Sequence, residues 1–250
     1  MKKYGLIGYP LAHSFSPSFF AEKFYKDDIR DADYQAYPLE NINEFKDLLK
    51  ADNQLIGLNV TIPYKETIIP FLDEIDEVAA AVGAVNTISI NPKNRRTKGF
   101  NTDVYGFEIS LQKALKKQGL NPQKALILGT GGAAKAIDYV LKKNDIETRF
   151  VSRNPKNKEL TYTDLTQQII ENHTLIINTT PLGTAPNTNA FPDIPYNYLT
   201  SKHFLYDLIY NPAKTIFLIK GNLKGTGIKN GLEMLYLQAE KSWEIWENNT

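Results

Sequence analysis

Gly129-Thr130-Gly131-Gly132-Ala133-Ala134 constrains this chain more than any other stretch. It follows Lys124-Ala125-Leu126-Ile127-Leu128, a short apolar run that reads as a buried parallel strand, and it precedes Lys135 to Asn144, which reads as a helix. The pattern is G-x-G-x-x-A, a permitted variant with Ala134 in the third place. Small residues in such a turn let the backbone approach a pyrophosphate, and N–H groups at the helix N-terminus point at the anion. Glycine turns also serve plain strand–helix packing, but here the required strand and helix flank the motif, so a dinucleotide site is expected.

The next strand, Thr148-Arg149-Phe150-Val151, ends in Ser152-Arg153-Asn154, with Lys156 and Lys158 just beyond. An NAD site usually carries Asp or Glu here, roughly 20 residues after the glycines, to accept from the ribose 2′-OH. Arg153 stands at this point instead, with Ser152 beside it. A guanidinium matches a 2′-phosphate and can stack on an adenine face. A solvated basic loop is the plainer alternative; the position at the carboxyl end of the strand favours NADP over NAD.

At 250 residues the chain is long enough for one large or two modest domains. Its net charge of +1 gives no reason to expect nucleic acid or an anionic membrane surface as partner. It has no cysteine, hence no disulfide framework and no thiolate metal site, and no metal is expected. No apolar run approaches the 18 residues that span a bilayer, and the N-terminal apolar run is too short for a signal peptide. A cytoplasmic protein, monomer or homodimer, acting on a small molecule is expected.

Strands are expected at 4–8, 34–39, 55–61, 85–90, 96–101, 124–129, 148–152, 175–180 and 204–209. Helices are expected at 17–26, 42–51, 64–72, 75–82, 103–118, 132–144, 163–171 and 231–247. This rhythm predicts an α/β protein of two open, mostly parallel domains, the second a Rossmann-like dinucleotide-binding domain. About 100 residues precede the glycine loop and need their own core and task. The division is 1–102 for a substrate domain, completed by the C-terminal helix 231–250, and 103–230 for the cofactor domain, with chemistry in the cleft between. Ser16-Pro17 reads as a helix start, cap then first-turn proline. Asn91-Pro92-Lys93-Asn94 reads as a turn between strands. Leu232, Leu235, Ala239, Trp243 and Trp246 form one apolar stripe, expected to be core.

Several segments of the first half are unusual as pure structure. His13-Ser14-Phe15-Ser16-Pro17 sets two hydroxyls at a helix N-terminus, where they could hold a carboxylate or simply cap. Asn59-Val60-Thr61-Ile62-Pro63-Tyr64-Lys65 puts Asn59 and Thr61 on one face of a strand end. Lys65 then follows at an expected helix start, against the dipole. Ala84-Val85-Asn86-Thr87 and Asn101-Thr102-Asp103 add amides and a carboxylate at further strand ends.

These segments, together with Gly83-Ala84-Val85-Asn86-Thr87, Gly99-Phe100-Asn101-Thr102-Asp103, the glycine loop and Asn230-Gly231-Leu232-Glu233-Met234-Leu235-Tyr236-Leu237-Gln238, resemble the shikimate dehydrogenase family in order from residue 5 to about 240. The resemblance implies NADPH-dependent reduction of 3-dehydroshikimate to shikimate, on the route to chorismate and the aromatic amino acids. It implies Ser14 and Ser16 as carboxylate binders, and Asn59, Thr61, Asn86 and Gln238 as partners of the ring hydroxyls. Lys65 and Asp103 are the implied catalytic pair. Gly129, Thr130, Gly131, Gly132 and Ala133 are the implied pyrophosphate loop, and Ser152, Arg153 and Asn154 the 2′-phosphate clamp. Leu208, Tyr210 and Gly231 lie on the nicotinamide side, with Tyr210 also counted as a substrate contact. Ser152 stands where the family usually has Asn, Thr130 where it usually has Ala, and Asn178-Thr179-Thr180 departs from the common Asn-Ala-Thr form. These departures bear on the strength of NADP preference.

Hydride transfer to a ketone leaves negative charge on oxygen, so a cation or proton donor must stand there. Lys65 can be both, and Asp103 can orient it through a charge-assisted hydrogen bond. The alternative for this pair is a surface ion pair worth about 0–1 kcal/mol. Two other functional readings remain open: a variant that oxidises quinate or uses NAD, and a binding or sensing module without turnover, which should have lost Lys65 or Asp103.

Overall fold

The computed structural model describes residues 1–11, 14–156 and 158–248. It separates into two units, one of 1–102 with 239–250 and the other of 103–238. His13, part of the first serine motif, lies outside the described residues.

The first unit begins with β1 (Lys2–Gly8), α1 (Phe15–Lys26), β2 (Ala32–Pro38), α2 (Glu44–Ala51) and β3 (Leu55–Val60). It continues with β4 (Glu74–Ile75), α3 (Glu77–Val82), β5 (Thr87–Ile90) and β6 (Thr97–Phe100). Their sheet order is β2-β1-β3-β5-β6-β4. β1 runs parallel to β2 and β3, whereas β5 is antiparallel to both β3 and β6. Apolar residues cover both faces, as period-2 alternation requires. Leu6 joins Phe20, Tyr34, Trp243 and Trp246 on one side, and Ile7 joins Leu58, Val60, Ile68 and Ile88 on the other. Phe20 and Tyr34 stack at 4.4 Å, and the Trp246 indole N–H donates to the Ile88 carbonyl at 2.9 Å. A buried aromatic cluster of this size supplies much of the unit's stability.

Four expectations need correction here. The helix expected over 64–72 does not form; Ile69–Phe71 makes one 3₁₀ turn and the rest is turns. Pro63, Pro70 and the β-branched run Thr67-Ile68-Ile69 all disfavour a helix, and Ile68 is drawn into the core. The helix expected from residue 75 starts at Glu77, capped by the Asp76 side chain, and Glu74–Ile75 joins the sheet as an edge strand. α1 starts at Phe15 with Ser14 as its N-cap residue, so Ser16 lies inside the helix and does not cap it. Leu232 is exposed, so the apolar stripe of the last helix is core only from Ala239 onward. The turn at 91–94 does join two antiparallel strands, β5 and β6.

The second unit holds α4 (Thr102–Gln118, from Asp103), β7 (Lys124–Leu128), α5 (Gly132–Lys143), β8 (Glu147–Val151), α6 (Gln167–Asn172) and β9 (Leu175–Asn178). After these come β10 (Phe204–Asp207), α7 (Ile216–Asn222), β11 (Gly227–Lys229) and the start of α8 (Leu232–Asn248), which passes into the first unit at Ala239. The sheet is wholly parallel, in the order β11-β10-β9-β7-β8. Counted from β7, this is the doubly wound order 2-1-3-4-5, with its switch point between β7 and β9. Its core is mainly aliphatic, with Leu126, Leu128, Val151, Ile176 and Leu205 at its centre. The helix expected over 163–171 is a 3₁₀ turn at Tyr162–Asp164 followed by α6, each with its own threonine cap, Thr161 and Thr166. α7 and β11 were not expected; they are 7 and 3 residues long, too short for a clear periodic signal.

Candidate active site

In the first unit, β3 carries Asn59 to the sheet end and the chain turns through Thr61 to Lys65. The Thr61 N–H donates to the Ile7 carbonyl at 2.9 Å. The Val85 N–H donates to the Lys65 carbonyl at 2.7 Å, which sets Lys65 beside the Ala84–Asn86 loop. Asn86 in turn is held by backbone bonds on both sides: its carbonyl accepts from Val60 and its N–H donates to Phe100. Thr61 and Lys65 are half-buried, Asn86 is buried. The fold thus gathers Thr61, Lys65 and Asn86, three expected site residues, at one end of the sheet.

Ser14 and Ser16 are both half-buried at the start of α1. The Ser14 hydroxyl makes no capping bond to the helix. The Ser16 hydroxyl hydrogen-bonds Tyr34, whose phenol is pushed well above its usual range by burial. Asn59 does not fit the role the resemblance implies as simply as the others. It is only 5 % exposed, and its amide is engaged internally by Tyr34, Thr87, Ser242 and the Asn86 carbonyl. Tyr34, Thr87, Thr102 and Ser242 form a buried polar cluster with Asn59 and Asn86 that sequence reading missed. Lone hydroxyls on a β-strand or an apolar helix carry no signal until tertiary structure brings them together.

In the second unit, Gly129 follows β7 with φ +112°, a conformation that L side chains rarely adopt. A Cβ there would also meet Thr179 Oγ1 at 2.6 Å, since the loop after β9 closes the other side of the switch point. Thr130 and Gly131 are exposed, and a Cβ on Gly131 would meet nothing within 4 Å. Gly131 is the N-cap residue of α5 and supplies no side-chain cap, so the first-turn N–H groups from Gly132 and Ala133 onward are left for an external acceptor. This 12-residue helix, its open glycine cradle and its switch-point position fit a pyrophosphate.

Ser152, Arg153 and Asn154 follow β8 on the other side of the same loop. The Asn154 N–H donates to Ser152 Oγ at 3.2 Å, closing a tight turn that leaves the Arg153 guanidinium exposed. Gly231 packs against Leu208. The Gly231 N–H donates to the Ile209 carbonyl at 3.1 Å, and any Cβ on Gly231 would collide with the Leu208 carbonyl. Tyr210 is half-buried, which raises its phenol pKa. Asp103 stands in the first turn of α4, where a carboxylate is favoured by the helix dipole. Gln238, half-buried, is the last residue of this unit and donates to the Leu235 carbonyl at 2.9 Å.

Asp207, at the end of β10, was not singled out from sequence. Its carboxylate is fully buried and accepts from Asn178 Nδ2 at 3.0 Å, the Ile209 N–H at 3.1 Å and the Thr215 hydroxyl at 2.5 Å. Burial outweighs these bonds and raises its pKa to about 6. It ties the loop after β9, the Leu208–Tyr210 segment and the start of α7 to one point.

Residues 6–88 match the family described as shikimate dehydrogenase substrate binding domain. The chain is 38 % identical to a protein of Methanosphaera stadtmanae named shikimate dehydrogenase (NADP(+)), over 98 % of this chain and 91 % of that one. A protein of the same name from Caldicellulosiruptor saccharolyticus is 36 % identical over 98 % of this chain and 92 % of its own length. The crystal structure of shikimate 5-dehydrogenase from Thermus thermophilus, in complex with NADP(H) and shikimate, superposes with a TM-score of 0.84 at 28 % identity, covering 99 % of this chain and 94 % of that one. Both units are therefore shared with these relatives, and this chain belongs to the shikimate dehydrogenase family.

Proposed function

We propose that this protein is an NADP-dependent oxidoreductase that reduces 3-dehydroshikimate to shikimate, in the biosynthesis of chorismate and the aromatic amino acids. The observation that carries the reading is that the likeness to NADP(+)-dependent shikimate dehydrogenases runs through both units. When bound, NADPH supplies the hydride. Gly129 to Ala133 would hold its pyrophosphate through backbone N–H groups, Ser152 to Asn154 its 2′-phosphate, and Leu208, Tyr210 and Gly231 would line the nicotinamide side.

Ser14 and Ser16 bind the substrate carboxylate, Thr61, Asn86 and Gln238 the ring hydroxyls, and Tyr210 is a further substrate contact. Lys65 Nζ gives its proton to the oxygen on which charge develops, and takes it back from the alcohol in reverse. Asp103 is the carboxylate that orients the Lys65 side chain. Asn59, whose amide bonds the Asn86 carbonyl and Thr87, belongs to the same cluster as Asn86. Among the described residues no helix is long and apolar enough to cross a membrane; we place the protein in the cytoplasm, as monomer or homodimer. The arginine beyond β8, where NAD sites carry a carboxylate, favours NADP over NAD. The test is to incubate the purified chain with shikimate and NADP⁺, then with NAD⁺, and follow nicotinamide absorbance. Faster turnover with NADP⁺ is expected; no turnover with either would overturn the assignment.

A further inference from the structure

Asn86 and Asn91 flank β5 at its two ends, so the β5–β6 hairpin stands at the opposite end of this strand from Asn86 and the candidate active site. Directly opposed residues on neighbouring strands point to the same face of a sheet. Gly57 of β3 opposes Ser89 of β5, Ser89 opposes Lys98 of β6, and Lys98 opposes Glu74 of β4, so these four form one row across the sheet. Trp246 covers the row at Gly57, where a Cβ would meet its indole at 2.6 Å. The row opens past Ser89: Lys98 is half-buried and Glu74 exposed. There the sheet face and the hairpin bound a cavity of about 190 Å³, whose lining includes Glu74, Ser89, Asn91, Asn94, Arg96 and Lys98.

The side chains around this cavity are nearly all donors. Ser89 is only 5 % exposed, yet its hydroxyl has no hydrogen-bond partner among the described residues. A hydroxyl buried without a partner is unfavourable, and this one lines the cavity, where a ligand would supply the partner. Asn91 Oδ1 accepts from the Lys93 and Asn94 N–H groups at 2.9 and 3.2 Å, and Asn94 Oδ1 accepts from the Arg96 N–H at 3.0 Å. Both amide oxygens are committed to the turn, so each residue has its nitrogen left to donate. The Lys98 ammonium makes no ion pair among the described residues and stands 5.6 Å from the Phe100 ring centroid. Arg96 pairs with Glu74 at 3.1 Å, both side chains being exposed. Two cations and one carboxylate leave a single positive charge. We propose that this cavity is a second binding site, for a small singly charged oxyanion, a carboxylate or a phosphate monoanion. Lys98 supplies the charge, Ser89 and the two amide nitrogens supply directed hydrogen bonds, and the Glu74 carboxylate at the rim disfavours dianions. A hairpin whose asparagines only build the turn would explain Asn91 and Asn94, but would leave the buried Ser89 hydroxyl and the unpaired Lys98 unexplained. The site does not depend on the dehydrogenase reading, and none of its residues belongs to that machinery.

The test titrates the ¹⁵N-labelled full chain with acetate and, separately, with inorganic phosphate at mildly acidic pH, where phosphate is mostly the monoanion. The backbone amides of Ser89 and Lys98 and the side-chain amides of Asn91 and Asn94 should shift together. They should saturate at about 1–10 mM, as expected of a few charge-assisted hydrogen bonds less the cost of association. The tighter of the two anions assigns the ligand as planar or tetrahedral. Lys98→Gln should weaken that binding about 10-fold and Ser89→Ala about 3- to 10-fold. Phosphate can also reach the glycine loop, so each titration is repeated with NADP⁺ in excess; the hairpin shifts should be unchanged. Hairpin resonances that move with neither anion, shifts that neither variant weakens, or shifts that NADP⁺ abolishes would overturn the proposal.

Discussion

In the first unit the sheet ends in neutral groups, the hydroxyls and amides of Tyr34, Asn59, Asn86, Thr87, Thr102 and Ser242, each satisfied by another. In the second it ends in a buried carboxylate, Asp207, that gathers three loops around itself. Both devices fix loops that carry expected site residues. They differ in how they respond to protons. A neutral network has nothing to titrate near neutrality, so this sheet end of the first unit keeps its geometry across pH. A buried carboxylate whose pKa is raised to about 6 makes this sheet end of the second unit sensitive to mild acid. A fold can therefore hold one group of loops by hydroxyl–amide contacts and another by a charge, with different costs.

If neither cluster takes part in the chemistry, the proton must belong to Lys65. Lys65→Ala should lower kcat by about 10²–10⁴, with little change in KM for shikimate, since the ammonium acts on charge that develops in the transition state. Steady-state kinetics in both directions checks this; a near-normal kcat would remove Lys65 from the mechanism and leave the buried clusters to be reconsidered.

Asp207→Asn sharpens the contrast between the two sheet ends. The Asp207 carboxyl titrates near 6 in the folded protein, above its ordinary value of 3.8. The folded state therefore holds this proton more tightly than the unfolded one. The group favours folding fully below about pH 4, and that contribution is lost as pH rises to about 6; by pH 7 the difference is on the order of 3 kcal/mol. Asparagine cannot ionise, and its nitrogen can donate to the Thr215 hydroxyl. The variant should gain stability relative to wild type as pH rises from 4 to 7, measured by urea unfolding at each pH. Parallel curves would mean the carboxylate is better solvated than its burial implies. Thr87→Val in the first unit is the matched control. It should cost about 2 kcal/mol, from partners left unsatisfied, and that cost should not vary over the same pH range.

The two ends were unequally legible in the sequence. The glycine loop, the apolar strands β7 and β9 and the serine, lysine and asparagine motifs could be read because each is local: a turn, a run, a strand end. The cradle needed only Gly129 to Ala134 and its flanks. Segment 64–72 misled because its pattern suits a helix while its prolines and β-branched residues do not, and because Ile68 is placed by the core. Ser242 and Asp207 were silent for another reason. Ser242 meets Asn59 across 183 residues of chain, and Asp207 meets Asn178 across 29, so their roles exist only after folding. Asn59 shows the reverse case, a motif residue whose buried amide bonds Tyr34, Thr87 and Ser242.

The central claim is that the first unit reads the substrate and the second reads the cofactor. Ser14→Ala and Arg153→Ala, measured side by side, test it most directly. Ser14 makes no capping bond in α1, so its loss leaves the helix intact, whereas Ser16→Ala would also disturb Tyr34. Ser14→Ala should raise KM for shikimate about 10-fold and leave that for NADP⁺ unchanged. Arg153→Ala should lower kcat/KM for NADP⁺ about 10-fold, with Lys156 and Lys158 limiting the loss, and leave NAD⁺ and shikimate almost unaffected. The effect on NADP⁺ should shrink in high salt, as expected of an exposed guanidinium. A crossed pattern, each variant moving only its own ligand, is the predicted result; an unchanged NADP⁺ to NAD⁺ ratio in Arg153→Ala, or both ligands weakened together by Ser14→Ala, would contradict it.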